Sequence, residues 1–330
     1  MINKSSYTNR GGEWMKVVSL HHPHTLTKET QPESVAAIGF FDGVHLGHQT
    51  VIRKAVDIAK KQNIYSSVMF FDPHPSVVLQ KDKTDVQYIT PLDHKIALME
   101  QLGVDILYIV RFDKELSKLL PNQFLDQFID RLNIVHIVAG FDFTFGHKGA
   151  GNMNNISDYL PKNIRYDVIS KQDQENEKIS STRIRECLAH GDLQEVERLL
   201  GRPYETVGEV VHGDKRGREI GYPTANINQN NDYIIPKIGI YAVEVKVNEE
   251  LYKGMASIGY NPTFKDDKNI IRIEVNLFDF QDDIYGKPIH VYWKKYMRDE
   301  VKFTSVDALI EQLEEDERQT REFFKNIGSK

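Results

Sequence analysis

The pattern of apolar residues changes once along this chain of 330 residues, and that change constrains the fold more than any other feature. Over the first 200 residues, short apolar runs alternate with segments whose apolar residues recur at helical spacing. Strands that alternate with helices form βαβ units, and these build a mainly parallel sheet covered on both faces. We therefore predict an α/β domain in this part of the chain.

The predicted strands are short and strongly apolar, and the predicted helices carry one apolar face. The strands are SVAAIGF, YSSVMFF, DILYIVRF, IVHIVAGFDF and RYDVIS. The helices are HQTVIRKAVDIAKKQ, PLDHKIALMEQLG and NQFLDQFIDRL.

Beyond Gly201 and Pro203, which end a helix, the pattern contains strands alone until the final segment. Runs such as ETVGEVVHG, GIYAVEVKVN, LYKGMASIGY, IIRIEVNLFDF and IHVYWKKYM predict an antiparallel all-β domain, with a small closed barrel as the expected form. The segment SVDALIEQLEEDERQTREFF predicts an amphipathic C-terminal helix. We expect domains at 15–201 and 202–330, with residues 1–14 as a disordered lead-in and Met15 as an alternative start.

Composition limits the class of partner. A net charge of −6 argues against a general nucleic-acid-binding surface. The single cysteine, Cys187, is compatible with a reducing compartment, and its helical context favours a buried structural thiol over a nucleophile. The chain shows neither a secretory signal nor a run of about 18 apolar residues. We expect a cytoplasmic protein that acts on small molecules and binds neither nucleic acid nor membrane; its oligomeric state is open, a homo-oligomer being one alternative.

The stretch IGFFDGVHLGHQ contains the first candidate site. An apolar strand ends at 39–41, Asp42 and Gly43 make a turn, and a helix begins near His45. A helix that follows a parallel strand presents free amides and a partial positive charge, which suit a phosphate. His45 and His48 share one helix face and could donate hydrogen bonds to that phosphate. A metal site and purely structural histidines are the alternatives.

The stretch EKISSTRIRECL contains hydroxyl groups at a predicted helix start, followed by arginines. These residues are Ser180, Ser181, Thr182, Arg183 and Arg185. The hydroxyl groups could simply cap the helix, or they could bind a triphosphate together with the amides and arginines.

A third stretch, VGEVVHGDKRGREIGYPTANI, interleaves glycines with basic residues. They are Gly213, Lys215, Arg216, Gly217, Arg218 and Gly221. Glycine allows backbone amides to approach a phosphate closely, but a solvated charged hairpin would have the same composition.

The PTAN segment, which begins at Pro223, places Thr224 and Asn226 on one side of an extended chain. Their two neutral oxygens suit a hard cation or one shared ligand. Downstream, Glu274 lies within the apolar run IRIEVNLFDF. It is either an outward-facing strand residue or a functional base.

Taken together, a strand–HxGH element and a distant ISSTxxR element resemble the nucleotidyltransferase superfamily, which also shares this arrangement with class I aminoacyl-tRNA synthetases. The stretches GFFDGVHLGHQ, FDPHP, GFDFTFGHKGAGN and ISSTRIR are similar to the adenylyltransferase module of the bacterial bifunctional riboflavin kinase/FMN adenylyltransferases, or prokaryotic FAD synthetases. The resemblance implies a Rossmann-like domain. It implies that the ATP-binding residues are Gly39, Phe40, Asp42, Gly43, His45, His48, Ser180, Ser181, Thr182 and Arg183.

On the flavin side, the resemblance implies Asp142 and Phe143. From the residues alone, the alternating Phe141, Phe143 and Phe145 are as readily core residues at a strand end.

The second half resembles the riboflavin kinase module of the same family through GEVVHGDKRGREIGYPTANI, GIYAV, ASIGYNPTF and IEVNLFDF. This implies that Thr224 and Asn226 take part in Mg²⁺ and ATP binding and that Glu274 is the base. It implies an ATP and flavin loop made of Gly213, Lys215, Gly217, Arg218, Gly221, Pro223, Thr224 and Asn226. The family often has His where this chain has Asn276.

The expected activity is phosphorylation of riboflavin to FMN, followed by adenylyl transfer from ATP to give FAD and pyrophosphate. Two alternatives remain at this point: an adenylyltransferase for another acceptor, and a flavin sensor without catalytic activity.

Overall fold

The structure of the protein is a computed structural model, and it describes residues 7–10, 13–79, 86–170, 173–174, 177–213, 216–228, 232–260 and 271–328. The chain divides between Ser181 and Thr182 into two compact units. Within the described ranges, no helix is both long enough and apolar enough to cross a membrane.

The first unit is an α/β structure. Its strands are β1 (Tyr7–Arg10), β2 (Glu13–Leu20), β3 (Ser34–Ile38), β4 (Tyr65–Asp72), β5 (Ile106–Arg111), β6 (Ile134–Gly140), β7 (Thr144–Phe145), β8 (Gly151–Asn152), β9 (Arg165–Ile169), β10 (Asp173–Gln174) and β11 (Glu177–Lys178). Its α-helices are α1 (Leu46–Gln62), α2 (Pro75–Leu79), α3 (Leu92–Leu102) and α4 (Pro121–Leu125). Helix α4 continues directly into a π-helical turn, Asp126–Asp130.

Seven strands form one sheet in the order β1-β2-β5-β4-β3-β6-β9. Only the β1–β2 pair is antiparallel in this sheet, as far as the structure describes it; the other neighbours are parallel. Strand β3 lies between β4 and β6: the chain runs from β3 to β4 and β5 on one side and then crosses to β6 on the other side, so the strand order reverses next to β3. A ligand crevice forms at such a switch point, outside the carboxyl end of the strands.

Both faces of the central strand are buried, which explains its continuous apolar sequence. Val35 and Ala37 belong to the core cluster that includes buried residues of α1, whereas Ala36 and Ile38 belong to the cluster on the opposite face. Alternate residues of a strand point to opposite faces, so a strand covered on both sides needs no polar positions.

The five predicted strands of this unit and their mainly parallel arrangement are confirmed. The structure adds an N-terminal hairpin that the sequence did not indicate, in which Tyr7–Arg10 pairs with the start of β2. The disordered lead-in over 1–14 stays a prediction. The helix expected over 122–132 is instead a short α-helix followed by the π-helical turn.

The second unit is a barrel with helices. Its strands are β12 (Tyr204–Val211), β13 (Ala225–Asn228), β14 (Gly239–Val247), β15 (Glu250–Tyr260), β16 (Ile271–Leu277) and β17 (Pro288–Arg298). Its helices are α5 (Ser181–His190), whose first residue still belongs to the first unit, α6 (Leu193–Leu200), α7 (Arg216–Glu219) and α8 (Val306–Ile327).

The six strands close into a barrel in the order β12-β13-β16-β15-β14-β17, with β12 paired to β17. The interior is well packed: Trp293 is fully buried, and its indole Nε1 donates to Thr206 Oγ1 at 2.9 Å. Helix α8 is attached to the barrel by Arg298, whose Nε donates to the buried Asp316 Oδ1 at 2.7 Å. The barrel and the C-terminal helix confirm the predicted fold class.

The division into units lies earlier than the boundary predicted at 201/202. Helix α6 contacts β12 and β17, and its apolar residues Leu193, Val196, Leu199 and Leu200 are buried. The backbone N–H of Lys237 also donates to the carbonyl of Leu188 at 3.0 Å. The helices before Gly201 are therefore grouped with the barrel because they pack on it. As a boundary between two enzyme modules, 201/202 stays a prediction.

Candidate active sites

The first site is built on the turn that joins β3 to α1. His45 is the N-cap of α1, with extended backbone angles, and its Nδ1 accepts a hydrogen bond from the backbone N–H of His48 at 3.2 Å. This bond satisfies one of the amides that every helix start leaves unpaired. Because Nδ1 is the acceptor, the proton of a neutral His45 ring lies on Nε2.

The rings of His45 and His48 stack, with centroids 3.5 Å apart and an interplanar angle of 17°. Gly47 leaves room for this arrangement, because a Cβ there would lie 3.2 Å from two atoms of the His45 ring. Burial holds the pKa of His48 well below its usual value, and the neighbouring His45 and Lys95 lower it further. The lowered pKa favours the neutral form of the His48 ring.

The backbone of this turn is strained. Phe41 has φ = 51° and Val44 has φ = 41°, and Val44 is β-branched. Such residues seldom adopt positive φ, and they hold it only where the surroundings enforce it. Gly43, at φ = 84°, provides the same backbone region without a steric penalty.

Three side chains hold alternate carbonyl groups of this segment, which we call the Phe40–His45 turn. They are Lys95, whose Nζ donates to Phe40 O at 3.3 Å, Ser181, whose Oγ donates to Asp42 O at 2.9 Å, and Gln49, whose Nε2 donates to Val44 O at 3.0 Å. The three donors come from α3, from the start of α5 and from α1. The turn is thus held from three directions.

The carboxylate of Asp42 forms hydrogen bonds to the backbone of a neighbouring loop. Asp42 is buried, and its Oδ1 accepts hydrogen bonds from the backbone N–H groups of Ile89, at 3.1 Å, and Thr90, at 3.3 Å. Asp42 and Gly43 lie in the turn, as predicted. The Oδ1 atom of Asp42, however, accepts hydrogen bonds from the loop that contains Ile89 and Thr90.

The ISST segment begins α5, as expected. Ser180 precedes the helix and Ser181 is its first residue, joined to the Phe40–His45 turn as described above. Thr182 is exposed and, with Arg183, belongs to the second compact unit. Arg183 pairs with Glu195 of α6 at 2.8 Å, a contact that the sequence did not indicate.

The two residues expected on the flavin side, Asp142 and Phe143, differ in their exposure to solvent. Asp142 is exposed, but Phe143 is buried and its ring stacks with that of Phe145, with centroids 6.1 Å apart. The core alternative is therefore right for these two phenylalanines, while Phe141 is 44% exposed. In the FDPHP segment, the ring of His74 lies 5.1 Å from that of Phe40.

The metal alternative for the histidine pair finds no support in the described part of the chain. No group of three or more His, Cys, Asp and Glu residues there could hold a metal ion.

The second site lies where β13 meets β16. Asn226 and Glu274 are cross-strand partners, and Thr224 Oγ1 donates to Glu274 Oε2 at 3.2 Å. Glu274 is partly buried, so it is not the fully solvated strand residue of the structural alternative. Thr224 and Glu274 are therefore in contact, with Asn226 opposite Glu274 on the neighbouring strand. The roles of Thr224 and Asn226 stay predictions.

The glycines of the basic loop each meet a specific requirement. A Cβ at Gly213 would overlap the side-chain amide of Asn226, and one at Gly217 would overlap the carbonyl of Tyr222. Gly221 has φ = 86°, where a side chain would be strained. The loop thus packs directly on the PTAN segment; Lys215 lies outside the described residues.

A cavity of about 730 Å³ opens beside this site, and Thr224 and Pro223 form part of its wall. Opposite them, the rings of His212 and Tyr285 lie 3.9 Å apart, and Arg218 Nη2 donates to Tyr285 Oη at 3.3 Å. This volume is within the range of small-molecule sites. The aromatic pair was not singled out in the sequence, since no motif marks Tyr285.

Asn276, the position where the family often has His, is buried. Its Nδ2 donates to the carbonyl of Pro223 at 2.8 Å, two residues along β16 from Glu274. Asn276 thereby joins the strand that carries Glu274 to the segment that carries Thr224.

The fold and the two sites define a nucleotide-dependent transferase: an α/β domain with an HxGH helix start and a β-barrel with a Thr–Asn–Glu cluster. Curated relatives agree. The chain is 50% identical over 313 residues to a Listeria monocytogenes bifunctional riboflavin kinase/FMN adenylyltransferase, covering 95% of this chain and 99% of that protein. It is 48% identical over 314 residues to the Bacillus subtilis protein of the same name, with the same coverage. The chain belongs to the bifunctional riboflavin kinase/FMN adenylyltransferase family.

Two family profiles match consecutive parts of the chain. The FAD synthetase profile matches residues 27–183 and the riboflavin kinase profile matches residues 200–324. A solved structure from Streptococcus pneumoniae, described as a macrolide-efflux protein, is 36% identical with a TM-score of 0.83, covering 92% of this chain and 98% of that one. The protein therefore converts riboflavin to FMN and FMN to FAD. The predicted activities are confirmed, rather than an adenylyltransferase for another acceptor or a flavin sensor without catalytic activity.

Proposed function

We propose that Glu274 is the general base of the kinase reaction and that Thr224 and Asn226 hold Mg²⁺ together with ATP. The observation that carries this proposal is the contact between Thr224 Oγ1 and Glu274 Oε2 at 3.2 Å, beside a cavity of about 730 Å³. Hydroxyl, amide and carboxylate oxygens are the ligand types that Mg²⁺ prefers, so the residues present fit the ion.

In this reaction, Glu274 accepts the proton of the terminal ribityl hydroxyl as its oxygen forms a bond to the γ-phosphorus of ATP. The bond between that phosphorus and the β-bridging oxygen breaks, and ADP leaves. When bound, Mg²⁺ offsets negative charge on the phosphates. Gly213 and Gly217 keep the basic loop against Asn226 and Tyr222, and Arg218 adds positive charge at the cavity.

In the adenylyltransferase reaction, an FMN phosphate oxygen attacks the α-phosphorus of a second ATP, and the bond to the β-phosphate oxygen breaks to release pyrophosphate. The nucleophile is already an anion, so no strong base is needed. His45 and His48 would donate hydrogen bonds to the charge that develops, together with amides of the Phe40–His45 turn. Contacts of Ser180, Thr182 and Arg183 with ATP, and of Asp142 with the flavin, belong to this proposal.

The magnesium proposal predicts a selective change in the Thr224→Val variant, which removes an oxygen at nearly constant volume. Riboflavin phosphorylation should need roughly 10-fold more Mg²⁺ for half-maximal rate, because a ligand or its support is lost. FMN adenylylation by the same preparation should keep its Mg²⁺ dependence. Rates of both half-reactions across a Mg²⁺ titration would test this. Thr304→Val, at an exposed position, is the matched control; an unchanged Mg²⁺ requirement in Thr224→Val would reject the assignment.

We infer that the kinase module includes the helices that pack on the barrel. A fragment of residues 182–330 should fold and phosphorylate riboflavin, whereas residues 202–330 should be less stable. The shorter fragment lacks the four buried apolar side chains of α6. Full burial of one such side chain stabilises a fold by about 1.5–3 kcal/mol. We expect the free energy of unfolding to fall by at least about 3 kcal/mol. Urea denaturation would measure it, and equal stability of the two fragments would support the boundary at 201/202 instead.

A cytoplasmic location and the absence of nucleic-acid and membrane partners stay predictions, supported by the net charge of −6 and by the single cysteine. A homo-oligomer is equally untested.

A further inference from the structure

One lysine is buried close to the adenylyltransferase site, where the sequence motifs indicated nothing. Lys95 lies in the first turn of α3 and is only 3% exposed. Its Nζ lies 4.7 Å from the centre of the Phe70 ring and 3.3 Å from the Phe40 carbonyl oxygen. Among the described residues, that carbonyl is the one hydrogen-bond acceptor of this ammonium group.

Packing does not require a charge at this position. Lys95 lies on the buried face of α3 with Leu98 and Met99, where an unbranched apolar side chain would fill the same space. Burying an ammonium group is costly unless carboxylates or hydrogen bonds compensate for the lost water. Burial lowers the pKa of Lys95, and the carboxylates of Asp42 and Asp72 oppose this. Asp42 and Asp72 thus favour the charged form of Lys95, against the effect of burial.

The acceptor of Lys95 is the first residue of the strained turn. Phe40 O, Asp42 O and Val44 O are each held by a side chain, and Lys95 is the only charged donor among the three. Two of the residues between Phe40 and His45 have unfavourable positive φ, so this backbone needs such restraints. Loss of one restraint would allow the turn, and with it the cap His45, to move.

We propose that Lys95 is a positioning residue of the adenylyl-transfer reaction: its buried ammonium group holds the Phe40–His45 turn in the geometry that binds the ATP phosphates. It acts through the turn and through the electrostatic potential at His48, which lies in the same site. The inference rests on the proposed role of that turn.

The electrostatic effect of Lys95 on His48 can be measured separately from its contact with the turn. Its positive charge is one of the causes that keep the pKa of His48 low, after burial and the charge of His45. Removing the charge should therefore raise the pKa of His48, whereas a lysine that only fills space would leave it unchanged once the fold is intact.

The test compares Lys95→Met with Lys95→Arg in the full-length protein. Met keeps most of the volume without the charge, and Arg keeps both the charge and the donors. We expect Lys95→Met to lower kcat for FAD formation from FMN and ATP by roughly 10- to 100-fold, as small displacements of catalytic groups do. For Lys95→Arg, kcat for FAD formation should stay within about fivefold of the wild-type value. The rate of riboflavin phosphorylation should stay within about twofold of the wild-type rate in both variants.

The matched control is Lys60→Met, at an exposed position of α1, which should leave every rate unchanged. Histidine NMR titration of Lys95→Met should show a higher pKa for His48. A folded Lys95→Met with normal FAD formation would overturn the inference, and so would equal losses in the Met and Arg variants. If Lys95→Met does not fold, Lys95→Gln, which keeps a donor without the charge, takes its place under the same criteria.

Failure of this inference can be distinguished from failure of the proposed function. A His45→Asn variant with normal FAD formation would reject the role of the turn itself. Impaired His45→Asn together with normal Lys95→Met would reject the role of Lys95 alone.

Discussion

Replacing Glu274 with glutamine should slow riboflavin phosphorylation by roughly 10²–10⁴-fold, the usual contribution of a positioned general base. Glutamine keeps the size of the side chain and can still accept the hydrogen bond from Thr224 Oγ1, which lies 3.2 Å from the carboxylate. What it cannot do is take the proton of the ribityl hydroxyl. FAD formation from supplied FMN should remain near normal, because that reaction uses the α/β unit.

The measurement is the rate of both half-reactions on one folded preparation at saturating Mg²⁺. Glu209→Gln is the matched control, since Glu209 is an exposed glutamate on the barrel strand β12. Undiminished FMN production by Glu274→Gln would show that Glu274 is not the base. Equal loss of both activities would indicate damage to the fold.

Replacing His45 with asparagine and His48 with glutamine should produce the opposite pattern. FAD formation should fall by about 100- to 1000-fold in the double variant, the usual loss when a preorganised donor to a developing charge is removed. Riboflavin phosphorylation should continue at its normal rate. The product of an incubation with riboflavin and ATP should therefore be FMN.

Asparagine is preferable to alanine at position 45 because His45 caps α1 through its Nδ1. Asparagine is itself a good N-cap, whereas alanine would cost about 1 kcal/mol of helix stability and obscure the result. The control is His147→Asn, at an exposed position of the same unit. Normal FAD synthesis by the folded double variant would contradict the proposed role, and the effects of the two single substitutions need not add.

Much of each site was predictable because local sequence determines it. The HxGH segment places two histidines on one helix start, and the PTAN segment places Thr224 and Asn226 on one side of an extended chain. Both follow from periodicities of 3.6 and 2 residues, which depend on the backbone alone. The family resemblance implied roles for Glu274 and Thr224 in one reaction, but only the structure shows their contact, where β13 meets β16.

Other parts of the sites could not be read from the sequence. Lys95 and Gln49 donate to carbonyls of the Phe40–His45 turn. Lys95 belongs to no motif, and Gln49 ends the GFFDGVHLGHQ stretch without a role that the sequence indicated. The one available signal for Lys95 was its position on the apolar face of α3, where a charged residue is unusual. Phe143, expected beside the flavin, is buried in the core cluster of the α/β unit, which the sequence pattern left open.

The sequence by itself determined the two architectures, since the alternation of apolar runs and helical segments leaves few ways to bury both faces of a sheet. It also determined which short segments carry hydroxyl, imidazole and carboxylate groups. Only the tertiary structure decided which side chains hold the strained turn, that burial lowers the pKa of His48, that Arg183 pairs with Glu195 and that α6 packs on the barrel. These depend on contacts between residues far apart in the chain and on the loss of water around them, which local patterns do not encode.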